Sequence, residues 1–406
     1  MLQALPLVFV LTGLALYVTL GGADFGAGFW QLFAGRGAEA ERVREQAHHS
    51  MGPVWEANHV WLIFVLTVFW TAYPAAFGSI ASTLVVPLFI ALLGIIFRGA
   101  AYALKTGASS ARESALIDTT FSLSSILTPF ALGAAVGAIA TNRVPVGNAT
   151  GHLFSSWLNP TSIFIGVLSV VTSAYLAAVY LAADSAHDRK RDLVEQFRRR
   201  ALASGLAAGA VAVAGIFIVN SEDHALFHSL LTGRALPAVI VSAVAGVTTL
   251  ALVYGHRFEP ARYCAALAVA SIIAGWALAR WPTILPGLTV DQAAAGHDTL
   301  VAVVVSVLAG GAILFPSLAL LFRTAVSGRF RADERIDAPS EQRGLPGVPI
   351  ARLARAAIAF LIAGFGLLNV AEASWAHAIG IVCLVGFILT GFRAITHAAL
   401  DRHPLA

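Results

Sequence analysis

Two carboxylates sit beside strongly apolar stretches of the sequence and could carry protons. Asp24 lies in LGGADFGAG and Glu56 lies in GPVWEANHVW. A charge in hydrocarbon is costly, so an acid persists there only where it faces protein or water and serves a path, a partner or a ligand. The chemistry that such acids could do is proton exchange, because a partly desolvated carboxylate can titrate near neutral pH.

Glycines flank Asp24 on its own helical face. Gly21 precedes it by three residues and Gly28 follows it by four, so the face is otherwise bare backbone. Such a face lets a second helix approach closely, and we expect Asp24 to lie in a protein-lined groove. The alternative is that Asp24 pairs with an arginine of a loop or caps a broken helix.

Glu56 stands one turn before His59 on the same helical face, at the predicted inner end of a helix. His59 could relay a proton when it is neutral, and Asn58 could orient the carboxylate by hydrogen bonding. Trp55 and Trp61 are placed where aromatic rings settle at a membrane interface. The two acids, near the inner ends of consecutive helices, predict a water-accessible proton path. A charged helix cap with interfacial tryptophans is the alternative.

The elements that position these residues are transmembrane helices. An apolar fraction of 58% with only 12% charged residues is typical of an integral membrane protein. Apolar windows of about 20 residues, the length that crosses a bilayer, predict eleven helices at about 4–30, 55–73, 78–102, 115–140, 161–183, 201–219, 236–254, 263–280, 299–322, 356–371 and 377–394. The runs are too continuous for barrel strands. The predicted fold class is all-α, a polytopic membrane helix bundle.

The distribution of lysine and arginine predicts the orientation, because positively charged loops stay in the cytoplasm. With the N-terminus outside, only Arg143, Arg234 and Arg280 fall on the outer side, which leaves 23 of the 26 basic residues inside, Arg98 among them. The C-terminus is then cytoplasmic. This loop bias accounts for the net charge of +4, so the charge indicates no nucleic-acid partner.

A charged stretch with proline and glycine divides the chain after the ninth helix. We predict a transmembrane domain of about nine core helices at 1–330, a cytoplasmic linker at 331–355 and an additional transmembrane hairpin at 356–406. No metal-ligand spacing, nucleotide loop or nucleophile triad is present in the sequence. The two methionines, Met1 and Met51, leave no material for a haem with a transmembrane methionine ligand.

Two motifs resemble a known family. GGADFGAGFW followed by GPVWEANHVWL resembles the paired signature of subunit II of the cytochrome bd-type quinol oxidases, roughly G-x-D-F-G-x-G and then G-P-V-W-D-G-N-E-V-W-L. Weaker likenesses are IIFRGAAYALK at 95–105, FSLSSILTPFALGAAVGAI at 121–139, and, more loosely, segments at 158–182 and 281–289. The departures fall on acids: Glu56 replaces an aspartate, His59 replaces a glutamate, and Ala103 stands where another glutamate is usual. Ala57 also replaces a glycine.

The resemblance implies a divergent, C-terminally extended subunit II. Such oxidases oxidise membrane quinol and reduce O2 to water, with haem b and haem d-type groups in subunit I. This chain would bind no cofactor or metal directly, assemble with the haem-bearing subunit I and contribute a cytoplasmic proton-uptake path. The path would use Asp24, Glu56, His59 and Asn58, while structural and interface roles would fall to Trp55, Trp61, Gly21, Gly28 and Arg98.

Other partners that the resemblance implies are membrane quinol, the lipid bilayer and a small single-helix accessory subunit. A structural quinone or lipid could also fill space between the helices. The expected location is the cytoplasmic (inner) membrane of a bacterium or archaeon. Two alternatives stay open, a proton-coupled transporter and a purely structural membrane subunit. Pro87, Pro129 and Pro316 are scattered without the matching halves that broken-helix transporters tend to show.

Overall fold

A computed structural model describes residues 1–35, 37–105, 110–326, 350–370 and 374–401, without the side chains of some of them, among them residues 48–57 and 391–401. The helices are α1 (Leu5–Leu32), α2 (Ala38–Ala72), α3 (Pro74–Thr83), α4 (Val85–Leu104), α5 (Ala111–Ala140), α6 (Pro160–His187), α7 (Arg191–Glu222), α8 (His224–Leu231), α9 (Leu236–Tyr254), α10 (Phe258–Arg280), α11 (Val290–Ala293), α12 (His297–Val326), α13 (Ile350–Val370) and α14 (Ser374–Asp401). Strands β1 (Thr283–Leu285) and β2 (Leu288–Thr289) form an antiparallel hairpin.

Eight helices of the described residues are long and apolar enough to cross a membrane. Three shorter apolar stretches, Asn58–Ala72, Arg355–Gly364 and Ala378–Phe387, lie within α2, α13 and α14. These eleven segments correspond one to one with the eleven predicted spans. The prediction of an all-α membrane bundle is therefore confirmed. The orientation of the termini stays a prediction.

Three local features differ from the sequence prediction. The third predicted span is broken at Leu84, between α3 and α4, where the backbone leaves the helical conformation. Helix α2 begins at Ala38, well before the predicted start, because the preceding charged stretch is rich in Ala, Glu and Arg, which favour helix. The loop after α10 contains the short hairpin β1–β2, whose turn uses Gly287 at φ +74°.

Small residues hold the core helices together. Helix α1 packs against α2, α5 and α6, and α6 packs against α7. A Cβ atom on Gly26 of α1 would lie 1.9 Å from the carbonyl oxygen of Ser173 of α6, so the two backbones are in direct contact. On the α6 side, Ala177, Ala178 and Ala182 are fully buried. Close backbone approach of this kind supplies the van der Waals contact on which helix association in lipid depends.

The chain forms two compact units, Met1–Leu318 and Ala319–Ala406. The first contains α1 to α11 and most of α12. The second contains α13 and α14, which pack along each other. Most of the predicted linker at 331–355 lies outside the described residues, and the predicted domain limits stay a prediction.

Candidate functional site

One stripe of α1 carries buried polar side chains separated by glycines. Tyr17, Gly21, Asp24, Gly28 and Gln31 follow each other at spacings of four, three, four and three residues, and all five are buried. This spacing places them on one face of the helix. Sequence reasoning selected Gly21, Asp24 and Gly28 but missed Tyr17 and Gln31, although the same spacing was already readable in the sequence.

Asp24 forms an ion pair with Arg98 of α4. The Nη2 atom of Arg98 donates to the Asp24 carboxylate and, at 2.9 Å, to the backbone carbonyl of Asp24. Both residues are 1% exposed. Asp24 therefore does pair with an arginine, as the alternative interpretation held, but the arginine belongs to a helix and not to a loop. Arg98, predicted to lie on the inner side, is buried between helices, and the side of the membrane that it lies nearer stays a prediction.

Helix α5 completes the surroundings of Arg98. Its Nη1 atom donates to the Ser125 hydroxyl, which in turn donates to the carbonyl oxygen of Phe121 at 2.6 Å. The guanidinium lies over the Phe121 ring at 4.2 Å and over the Phe25 ring at 5.1 Å. Cation–π contacts of this kind stabilise a desolvated guanidinium. Arg98 thus joins α1, α4 and α5 at one point.

Glycine makes this approach geometrically feasible. A Cβ atom at Gly28 would lie 2.1 Å from the Ser125 hydroxyl oxygen and 3.2 Å from Nη1 of Arg98. A Cβ atom at Gly21 would lie 2.5 Å from the side-chain nitrogen of Asn58. The two glycines beside Asp24 are therefore the positions at which α5 and α2 reach α1.

Several polar atoms in this cluster are buried without a hydrogen-bond partner among the described residues. They are Oδ2 of Asp24, Nε of Arg98, the hydroxyl of Tyr17 and both polar atoms of the Asn58 side chain. Buried polar groups are normally satisfied by protein or by ordered water. A site with this many unpaired donors and acceptors has the chemistry to hold water molecules and pass protons between them.

The structure describes the side chains of only some of the predicted residues of the second motif. His59 is half-buried and interacts electrostatically with Asp24. Trp61 is half-buried, and its ring packs edge-to-face on Phe64 at 6.2 Å. The side chains of Trp55 and Glu56 lie outside the described residues, so their predicted roles stay predictions.

A cavity with several charged residues in its lining lies between α1, α2, α4 and α5. Its volume is about 100 Å³, and Gln31 and Phe121 form part of its wall. The charged side chains that line it are Glu41, Arg44, Glu45, Lys105 and Asp118. Phe121 also stacks on Arg98, which pairs with Asp24, so this ring connects the cavity wall to the Asp24 cluster.

The described residues offer little to a metal or haem. Within them, no group of three or more His, Cys, Asp or Glu side chains could hold a metal ion. Seven histidine side chains are described, and of these His59 alone is not exposed. The others lie at helix ends or in loops, so these seven provide no pair of axial ligands inside the bundle.

Comparison with known proteins gives one consistent family. The sequence profile described as "Cytochrome bd terminal oxidase subunit II" matches residues 2–325. The chain is 24% identical over 307 residues to the Escherichia coli K12 protein named cytochrome bd-I ubiquinol oxidase subunit 2, covering 68% of this chain and 80% of that protein. It is 28% identical over 151 residues to the Bacillus subtilis protein named cytochrome bd ubiquinol oxidase subunit 2. That match spans 36% of this chain and 43% of the Bacillus protein, less than half of its length.

A solved structure has the same fold. A chain of the bd oxidase from Geobacillus thermodenitrificans superposes with a TM-score of 0.63 at 23% identity. The match covers 98% of that chain but only 79% of this one. At this level of identity the likeness shows the fold alone.

Proposed function

Because the chain belongs to the cytochrome bd terminal oxidase subunit II family, we propose that it is the haem-free subunit of a quinol:O2 oxidoreductase. It assembles with a haem-bearing subunit I and contributes a proton-uptake path for the reduction of O2 to water. The relatives' names support an oxidase complex in the respiratory membrane. Family membership leaves the alternative of a proton-coupled transporter without support.

The observation that carries the proton path is the buried cluster around Asp24. One carboxylate oxygen is engaged by Arg98, while the other is buried without a partner. The unpaired Tyr17 hydroxyl lies two turns away on the same stripe of α1, and Asn58 packs against Gly21 of that stripe. Arg98 supplies a counter-charge for the ionised carboxylate, so Asp24 can release its proton inside the bundle without becoming an isolated charge.

The cavity between α1, α2, α4 and α5 supports a route to this cluster. Glu41, Glu45 and Asp118 on its wall can exchange protons with bulk water, while Gln31 continues the α1 stripe towards Asp24. In our proposal protons collect at the cavity, pass Arg98 to Asp24, and leave through the Asn58, His59 and Glu56 segment towards subunit I. Arg98 positions Asp24 and does not itself carry the proton, because a guanidinium does not deprotonate in proteins.

Replacement of Asp24 by Asn tests this proposal, with Asp184→Asn as the matched control. Asp184 also pairs with an arginine, but at the surface end of α6. In purified complex, O2 consumption per assembled haem should fall at least ten-fold in Asp24→Asn and stay near wild type in Asp184→Asn. Loss of haem content in proportion to activity would support a purely structural role. Unchanged turnover per haem would remove Asp24 from the path.

Glu56 needs its own test, because its role rests on the sequence motif. Glu56→Gln keeps the shape and removes the titratable proton, so turnover should drop severely at normal haem content. Glu56→Asp restores the carboxylate and should recover much of the rate. Failure of both variants would show that the site needs both the carboxylate and its reach, whereas normal turnover in Glu56→Gln would remove Glu56 from the path.

A further inference from the structure

A basic cleft lies at the ends of four helices and shares no residue with the Asp24 cluster. It is bordered by the C-terminal end of α6, the first turns of α7 and the α9–α10 connection, and its volume is about 610 Å³. The residues that line it are Ala186, Arg189, Arg191, Val194, Glu195 and His256. Two arginines and a histidine thus face one acid.

The acid of the cleft is already neutralised. Glu195 accepts hydrogen bonds at 3.0 Å from Arg198 and from Arg199. Arg189 and Arg191 are exposed, and neither forms an ion pair with any residue that the structure describes. The cleft therefore carries an excess of positive charge whose donors are not engaged by described protein carboxylates.

Neighbouring acids do not cancel this charge either. Asp192 pairs with Arg42 of α2, and Asp188 pairs with Lys190 at 3.3 Å. Lys190, at the N-cap of α7, offers no side-chain cap to the helix, so the positive end of the α7 dipole adds to the field in the cleft. The whole arrangement is suited to a ligand with a compact negative charge.

The position of the cleft along the helices indicates what that ligand is. The candidate spans of α6 and α9 end at His187 and Tyr254, and those of α7 and α10 begin at Arg191 and Phe258. All four limits surround the cleft, and the apolar runs predicted for α6 and α9 stop at about 183 and 254, so we place the cleft at the headgroup level just beyond the hydrocarbon. Tyr254 and Tyr263 are 70% and 74% exposed here, as expected for an aromatic belt at the headgroup level.

We propose that this cleft binds the phosphate of an anionic phospholipid headgroup. Guanidinium groups match phosphate oxygens with paired, charge-assisted hydrogen bonds, and basic pockets between membrane helices are suited to lipid headgroups. The side chain of Leu206 is 65% exposed three turns along α7 from Glu195, within the depth of one leaflet, and provides apolar surface for the acyl chains of the same lipid. A free phosphate ion shares the headgroup chemistry but makes no use of this surface.

The test uses the intact oxidase complex, stripped of loosely bound lipid and placed in nanodiscs of phosphatidylcholine with or without phosphatidylglycerol. The double variant Arg189→Gln/Arg191→Gln removes the two arginines of the cleft. The control Arg112→Gln/Arg234→Gln removes the same charge from exposed arginines elsewhere. Native mass spectrometry counts the phosphatidylglycerol molecules that stay bound, and haem content reports folding of each complex.

Wild type and control should retain one more phosphatidylglycerol than the cleft variant, whose affinity should fall about ten-fold or more for the loss of two charge-assisted contacts. Equal retention in the cleft variant at normal haem content would overturn the proposal. A second arm adds inorganic phosphate to complex in phosphatidylcholine alone. If phosphate raises the thermal midpoint of wild type, but not of the cleft variant, as strongly as phosphatidylglycerol does, the ligand is a soluble phosphate and the lipid assignment is wrong.

Discussion

The first unit contains two arginine–aspartate pairs built on the same plan in opposite surroundings. Arg98 donates to the carboxylate of Asp24 and to a backbone carbonyl at 2.9 Å, and it stacks on Phe121. Arg262 donates to the carboxylate of Asp184 and to the carbonyl of Tyr180 at 2.8 Å, and it lies 5.3 Å from the centre of the Tyr180 ring. The side chains of Arg98 and Asp24 are 1% and 2% exposed. Those of Arg262 and Asp184 are 21% and 29% exposed.

The difference teaches that pairing alone does not distinguish a site from an anchor. At the rim, water screens the Arg262 pair and shares its hydrogen bonds, so its contribution to stability is small. In the interior, both partners have lost their hydration and each depends on the other. In the buried pair, one oxygen of Asp24 has no hydrogen-bond partner among the described residues. That oxygen can accept a proton, a capacity that packing alone does not require.

Replacing the arginine of each pair should give the largest difference in stability between the two pairs. Arg98→Met leaves Asp24 as an uncompensated buried charge, which costs about 3–5 kcal/mol. Arg262→Met should cost about 1 kcal/mol or less, because water can replace the lost partner. The yield and thermal midpoint of the purified complex measure both. Similar losses in the two variants would show that burial does not set the cost.

Disturbing the close helix contact beside the Arg98–Asp24 pair should have the next largest effect on stability. Gly28→Ala places a Cβ atom 2.1 Å from the Ser125 hydroxyl, and overpacking of this kind costs about 1–3 kcal/mol. Gly209→Ala in α7 is the control, because no atom lies within 4 Å of its added Cβ. That control should be neutral or stabilising by up to about 1 kcal/mol, since alanine favours helix. A Gly28→Ala complex as stable as the Gly209→Ala complex would contradict the packing described for α1 and α5.

A third pair, at the cavity and slightly more exposed than the Arg262 pair, extends the comparison. Lys105 contacts both carboxylate oxygens of Asp118, at 2.6 and 2.7 Å, and the side chains are 31% and 30% exposed. Lys105→Ala should therefore lower the stability of the complex by less than about 1 kcal/mol. The loss should shrink further as salt is added, because screening weakens exposed pairs. A thermal midpoint that falls equally at low and high salt would indicate a packing effect of the lysine stem.

The smallest effect is expected from removal of the C-terminal region, which contains neither pair. The family profile ends at residue 325. A chain that stops at about residue 330 should still co-purify with the haem-bearing subunit at wild-type haem content. Failure of this shortened chain to co-purify would make the hairpin part of the subunit interface.

Sequence reasoning reached the fold because span length and apolar composition are local properties. All eleven predicted spans meet an apolar helical segment, and the glycines beside Asp24 indicated close helix approach before any partner was known. The break at Leu84 was missed because both sides are apolar, and no proline or glycine lies at the break itself. Helix breaks of that kind are decided by packing against neighbours.

The site was harder to predict than the fold. That Asp24 needs a charge partner follows from its burial, but the choice of Arg98 depends on how α4 lies against α1, which the sequence does not encode locally. Arg98 was counted as an inner-face charge because it stands near the end of a span. Tyr17 and Gln31 carry no charge and attracted no notice, although they share the Asp24 stripe.

The hairpin of α13 and α14 has a consequence for how the chain enters the membrane. A Cβ atom at Gly364 would lie 3.0 Å from the carbonyl oxygen of Gly380, and one at Gly386 would lie 3.2 Å from the Phe360 ring. The two helices thus provide each other's close contacts from adjacent stretches of chain. As the transmembrane hairpin predicted from the sequence, they would pair within the bilayer independently of any other helix, in the second step of a two-stage assembly. Such a pair would be a self-contained unit of membrane insertion.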